Sequence, residues 1–261
     1  ISFLSAANFS TTGGFGPNQV STILGFGIFV LIVLLLYKKR FTNFLVLDVI
    51  ILAYLIYRDL LTFSRGGLIT GICAAIIILF FYLKSKPNFI ISIAKIGVMF
   101  FILGFTLFNY TSSQTDNILG YRYSGKNSYG GDKEDISSGR IGFFEDELNI
   151  FLDNPMFGAG VGGSKYVREK KYSHKGSSHN EITRMLSEHG IIGVFSLLFL
   201  IFHPLKIIYK NRSYKEFSFS LAFYFLWFLT INHSAMRLAF PSIVYGLCLI
   251  NIKKNENIIY R

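Results

Sequence analysis

Long apolar runs alternate with short polar breaks along this chain. Seven runs, at about 20–37, 41–62, 67–83, 88–109, 190–209, 216–231 and 238–252, approach the roughly 17–25 residues a helix needs to cross a bilayer. Apolar character continues all round each run, without the single stripe of a soluble surface helix. One break differs from the others. Residues 110–189 are polar, and their centre, "SGKNSYGGDKEDISSG", reads as a flexible stretch. After it, "RIGFFEDELNIFLDNP" sets Ile141, Phe144, Leu148 and Phe151 at three- and four-residue spacing. That spacing predicts an amphipathic helix, ended by Pro155, that lies on the membrane or caps the bundle. The acidic "FEDE" step reads as its solvated face. The pattern predicts an all-α, polytopic transmembrane helix bundle of about seven spans. It divides into the first four helices (1–109), a large outer loop (110–189) and the last three helices (190–261).

Charge gives the bundle a direction. "KKR" at 38–40, "KSK" at 84–86, the group Lys206, Lys210, Arg212 and Lys215, and Lys253, Lys254 and Arg261 all fall on one side. Only Glu216 and Glu256 accompany them there, so the positive-inside bias makes that side cytoplasmic. The 110–189 loop, Arg58 to Arg65 and "NHSAMR" at 232–237 then face outward. A formal charge of +11 would suggest a nucleic-acid partner in a soluble chain. Here 51% hydrophobic residues, 28 of the residues Phe and a mean hydropathy of +0.45 point to an integral membrane protein, and no nucleic-acid partner is expected. Cys73 and Cys248 lie inside apolar runs and read as small buried hydrophobes. The chain opens on Ile1 with no basic leader, as the interior of a longer protein would, so an N-terminally truncated chain is expected.

Candidate chemistry gathers on the outward side. In "GSSHNEITRMLSEHGIIG", Ser178 followed three residues later by Glu181 predicts a capping box, with His179 in the first turn. The positive helix end there favours a neutral imidazole able to take a proton from a hydroxyl. "FSRGGLITG" puts Arg65 at a span end, beside two glycines that let backbone or ligand come close. It reads either as a phosphate fork or as a snorkelling side chain. Arg140 opens the amphipathic helix, where a cation and free N–H groups suit an anion. His233 and Arg237 either join the site or sit at the interface, and "NPMFGAGVGGS" reads as a tight glycine loop near a substrate. No chelating cluster predicts a metal, and no cofactor is expected.

Three elements in this order, "SRGG", "SGR…DNPMFGAGVGGS" and "HNEITRMLSEHGIIG", with "GGFGPNQVS" before the first span, resemble the O-antigen ligase and polymerase superfamily of bacterial membrane glycosyltransferases. The resemblance covers nearly the whole chain. It implies a metal-independent glycosyltransferase in the bacterial inner membrane, multi-pass, with its active site facing the periplasm. The donor it implies is a glycan on a polyprenyl diphosphate (undecaprenyl diphosphate) carrier. The acceptor is a sugar hydroxyl on the lipid A core, in lipopolysaccharide biosynthesis, or on a growing glycan. By position, His179 is implied as the catalytic base and Arg65 and Arg140 as diphosphate-binding residues, with Asn180, His233 and Arg237 accessory. Ligase is the first expectation, and a polysaccharide polymerase the alternative. A transporter or flippase is the rival from another class. Ion-coupled carriers place ionisable groups near the membrane midplane, and the predicted spans hold little beyond Asp48 and Lys95.

Overall fold

A computed structural model describes residues 9–84, 87–127, 129–131, 139–173, 178–210, 213–234 and 238–250. Arg237 and the basic residues Lys86, Arg212, Lys253, Lys254 and Arg261 lie outside the described residues, as does half of the stretch read as flexible. Every predicted apolar run is a helix: α1 (Pro17–Leu36), α2 (Leu45–Leu60), α3 (Gly66–Lys84) and α4 (Phe89–Gln114) before the loop. The loop carries α5 (Ile118–Tyr123), α6 (Arg140–Asp153) and α7 (Gly163–Val167), which runs on into a π-helical turn at Arg168–Tyr172. Then come α8 (Glu181–Ile208), α9 (Tyr214–His233) and α10 (Ala239–Leu249).

Local chemistry sets several of these starts. Pro17 opens α1 after an extended Gly16, where its missing N–H costs nothing. Ser213 and Glu216 close a reciprocal capping box at α9. Asp48, read as a charge inside a span, turns back in the first turn of α2 to accept from the backbone N–H groups of Phe41 (3.1 Å) and Thr42 (2.9 Å). It ties a helix start, and Lys95 is exposed. Cys248 is buried and Cys73 half-buried, both as free thiols. Four helices, α1, α3, α4 and α8, are long and apolar enough to cross a membrane, while α2 has 16 residues and α10 has 11.

The bundle is organised about α3, which packs most closely on α1 and next on α9. The first contact is backbone on backbone. A Cβ on Gly25, Gly67 or Gly71 would collide with the main chain of the facing helix, at Gly67, Ser21 and Gly25 respectively. Small residues four apart on both helices, Ser21 and Gly25 against Gly67 and Gly71, are what allow that approach. The paired glycines of "SRGG" thus admit neighbouring protein instead of ligand: Gly67 meets Ser21, and Gly66 meets the ring of His233. Below this seam the core fills with Phe29, Ala74, Ile78, Trp227 and Val244. At the far end Tyr37 packs on Tyr82 (5.0 Å between centroids) and Phe81 on Tyr214 (5.2 Å). The ends of α1 and α3 therefore meet the start of α9 there, opposite Arg65.

The loop docks differently. Helix α6 forms where its spacing predicts, with most of its apolar residues outward and two of its acids inward. Ile141, Phe144 and Leu148 are exposed and Phe151 is half-buried, while Asp146 and Glu147 of "FEDE" are buried with Ile150 against the rest of the fold. Asp146 and Glu147 are not on a solvated face, while Glu145 is exposed. The cause lies in what α6 meets: Glu147, with no exposed area, accepts from Thr183 Oγ1 (2.6 Å) and Ser178 Oγ (3.0 Å), and the buried Arg168 stands 3.7 Å away. Arg168 also lies over the Phe143 ring at 4.7 Å.

Helix α8 is broken at Gly190, whose φ of 61° and ψ of −140° leave helical space. The glycine loop fits into the break. Ala159 N–H donates to Ser187 O (2.8 Å), Gly160 N–H to Glu188 O (3.0 Å), and Ile191 N–H to Pro155 O (2.8 Å). A Cβ on Gly158 or Gly190 would strike the backbone of the other segment at 2.4–2.6 Å. Gly158 is thus explained by packing on α8, and Gly160 and Gly162 by their left-handed φ of 84° and 74°.

Candidate functional site

Ser178 does not cap α8. Its hydroxyl is held by Glu147, and Asn180 is the N-cap instead, its Oδ1 accepting from Ile182 N–H at 2.8 Å. Helix α8 begins at Glu181, so His179 stands one residue before the cap and not in the first turn. Half-buried, His179 lines a cavity of about 240 Å³ together with Arg140, Phe143, Phe144, Asn180 and Asn232. The site therefore draws on α6, the 178–180 segment and the end of α9.

Beside that cavity three arginines converge. Arg122, on α5, is held below its ordinary range by desolvation first, then by the positive charges of Arg65 and Arg140. Arg140 is likewise lowered, by desolvation and then by Arg65. Each guanidinium feels the others because three different elements bring them together. Arg65 follows α2 and lies over the Tyr123 ring at 5.8 Å. Arg122 is fixed by its Nε donating to Phe63 O at 2.8 Å. Arg140 opens α6. No carboxylate forms an ion pair with any of the three among the described residues. Burial and the nearby buried Asp59 push the Tyr123 phenol up to about 12, against the opposing pull of Arg65 and Arg122. Like charges gathered without a counterion make a site that favours an anion with several oxygens, and guanidinium forks match such oxygens two at a time.

His233 holds a different position. Its Nδ1 stands 2.9 Å from Leu229 O, its Nε2 stands 3.1 Å from Thr22 Oγ1, and the ring presses on Gly66. Since a carbonyl only accepts, Nδ1 carries a proton. Nδ1 is thus held within α9, while Nε2 joins α9 to Thr22 of α1 and the ring meets Gly66 of α3, next to Arg65. The structure therefore brings together Arg65, Arg140, His179 and Asn180, and makes His233 a buried bridge. Arg237 lies outside the described residues. Sequence reasoning missed Arg122 and Asn232. Arg122 sits in "GYRYSG" with no motif around it, and only its contact to Phe63, 59 residues earlier, reveals it.

Fold and site define a multi-pass membrane protein with a cationic pocket at one end of its helices. The chain belongs to the O-antigen ligase family, whose model matches residues 50–198, more than half of the 261 residues. That span runs from α2 into α8 and contains Arg65, Arg122, Arg140, His179 and Asn180. The protein is accordingly a membrane enzyme of the O-antigen ligase and polymerase type, with glycosyltransferase-type activity in O-antigen or polysaccharide biosynthesis. No curated protein and no solved structure matches the chain.

Proposed function

We propose that this protein is an O-antigen ligase-type transferase. It moves a glycan from a polyprenyl diphosphate to a sugar hydroxyl on the lipid A core, at the periplasmic face of the inner membrane. The observation that carries this reading is the cluster of Arg65, Arg122 and Arg140, three cations with no ion-paired acid among the described residues, beside a pocket that holds His179. In the transfer, the acceptor oxygen forms a bond to the anomeric carbon while the bond from that carbon to the diphosphate oxygen breaks. The hydroxyl proton goes to His179, and the bonding pair leaves with the polyprenyl diphosphate. Negative charge thus grows on the leaving group, where preorganised guanidinium groups stabilise it more than they stabilise the bound donor. Seven crossings, with Lys38, Lys39, Arg40 and Lys84 at the cytoplasmic end, accord with the positive-inside bias and turn the arginine cluster outward.

The decisive variant is His179→Gln, which keeps size and hydrogen bonding but has no basic nitrogen. Positioned proton transfer is worth ~10²–10⁴-fold, so transfer in proteoliposomes should fall by that factor while donor binding is retained. A Gln variant with most of the wild-type rate would remove His179 from proton transfer.

A further inference from the structure

The cavity beside the arginines has a chemistry of its own. Its volume of about 240 Å³ corresponds to about eight waters at ~30 Å³ each, the scale of one sugar ring and not of a polymer. Phe144 contributes an aromatic wall that is 47% exposed. Two amides line it, and the backbone decides which end of each is available. Asn180 Oδ1 is committed to Ile182 N–H at 2.8 Å, so Asn180 presents its Nδ2 as a donor. Asn232 Nδ2 is committed to Phe228 O at 2.7 Å, so Asn232 presents its Oδ1 as an acceptor. Thr183 Oγ1 spends its one proton on Glu147, which leaves lone pairs to accept.

Arg140 and His179 stand in the same lining, so one side of the cavity faces the charged leaving group; away from them the uncharged side chains offer one donor and two acceptors. They suit neighbouring hydroxyls, each of which donates and accepts. The cavity thus has two sides: Arg140 where it meets the arginine cluster and the charged leaving group, and fixed amides and a phenyl face for a neutral ring. We propose that this cavity is the subsite for the acceptor sugar, a pyranose with adjacent hydroxyls, and that Asn232 reads their configuration. The inference rests on the transfer reading above, because it is His179 in the same cavity that places the reacting hydroxyl there. Both amides are already locked by backbone bonds, so little side-chain freedom is lost on binding.

Asn232→Leu keeps the side chain's size and removes its acceptor. With the full chain in proteoliposomes, saturating carrier-linked donor and the glycolipid fraction of the native envelope as acceptor, its acceptor KM should rise about five- to tenfold, the loss of one hydrogen bond. Donor KM and kcat should change less than twofold. An unchanged acceptor KM, or a shift in donor KM alone, overturns the subsite. If the Leu variant does not reach the membrane, Asn232→Ala decides on the same criterion, since it also removes the acceptor and leaves no larger group in its place. A wild-type protein that transfers no glycan defeats the transfer reading and the subsite with it. A working wild type with an indifferent Asn232→Leu defeats only the subsite.

Discussion

The α1–α3 seam and the α6–α8 seam are both close contacts between helices, built from opposite materials. Across the first, Ser21, Gly25, Gly67 and Gly71 bring two backbones together, and the one side chain between them is the small Ser21, whose Oγ accepts from Gly67 N–H (3.1 Å). Across the second, Glu147, Arg168, Ser178 and Thr183 hold helix to loop with buried charge and hydroxyls. A seam within lipid gains nothing from excluding water and relies on the closeness of its packing. A seam outside the helical core competes with water, and its directional bonds fix angles as well as distance. The site needs both. Arg65 and Arg122 are placed by the bundle and its short α5, whereas Arg140, His179 and Asn180 are placed by the polar seam.

Breaking the first seam should have the largest effect. Gly67→Leu forces a side chain into the backbone of Ser21, beyond the ~4–5 kcal/mol that marks exceptional destabilisation, and the whole protein should be lost from detergent extracts on size exclusion. Breaking the second should spare the bundle. Glu147→Ala removes the carboxylate that faces the buried Arg168, a loss of about 3–5 kcal/mol confined to the loop. Limited proteolysis should then cut within 139–173 while the remaining helices stay protected; cleavage spread evenly over both regions would erase the distinction.

Removing charge from where the two regions meet should leave both seams whole. Arg122→Ala is expected to lower transfer by about 10²-fold, the scale of losing one preorganised charge-stabilising donor, with no change in yield. Arg122→Lys should recover little, since an ammonium lacks the planar fork. Full rescue by Lys would reduce Arg122 to a point charge.

The smallest effect sharpens the comparison through pH. Desolvation raises the Glu147 carboxyl above its ordinary range, more than its bonds to Thr183 and Ser178 and the charge of Arg168 lower it. The folded state therefore holds that proton more tightly than the unfolded chain does. Stability from this group is fullest below the usual carboxylate range and declines as pH rises through the raised value, by no more than about 1.4 kcal/mol per pH unit. Hydrogen exchange of 140–153 should show that slope, and Glu147→Gln should flatten it.

How much of this was readable in the residues depends on distance along the chain. Apolar runs announce helices because the signal is local, and each of the seven runs holds one. The two faces of α6 were equally local, but that Asp146 and Glu147 turn inward depended on Arg168, Ser178 and Thr183, and the acids were read as solvated. The same reach explains the cap. Ser178 has the right spacing to Glu181, yet a carboxylate 31 residues upstream takes its hydroxyl and leaves the task to Asn180. Arg65 and Arg140 stand at helix ends and could be picked out, while Arg122 becomes visible only once Phe63 anchors it.

The break in α8 has a mechanical consequence. Three peptide hydrogen bonds from residues 155–160 lock into the gap at Gly190, like a tenon in a mortise. The half of α8 that carries Asn180 cannot swivel on the half that continues into the bundle without withdrawing that tenon. Because the joint is made of main chain, its grip is indifferent to most side chains around it, and thrust on the 178–180 segment passes straight down the helix.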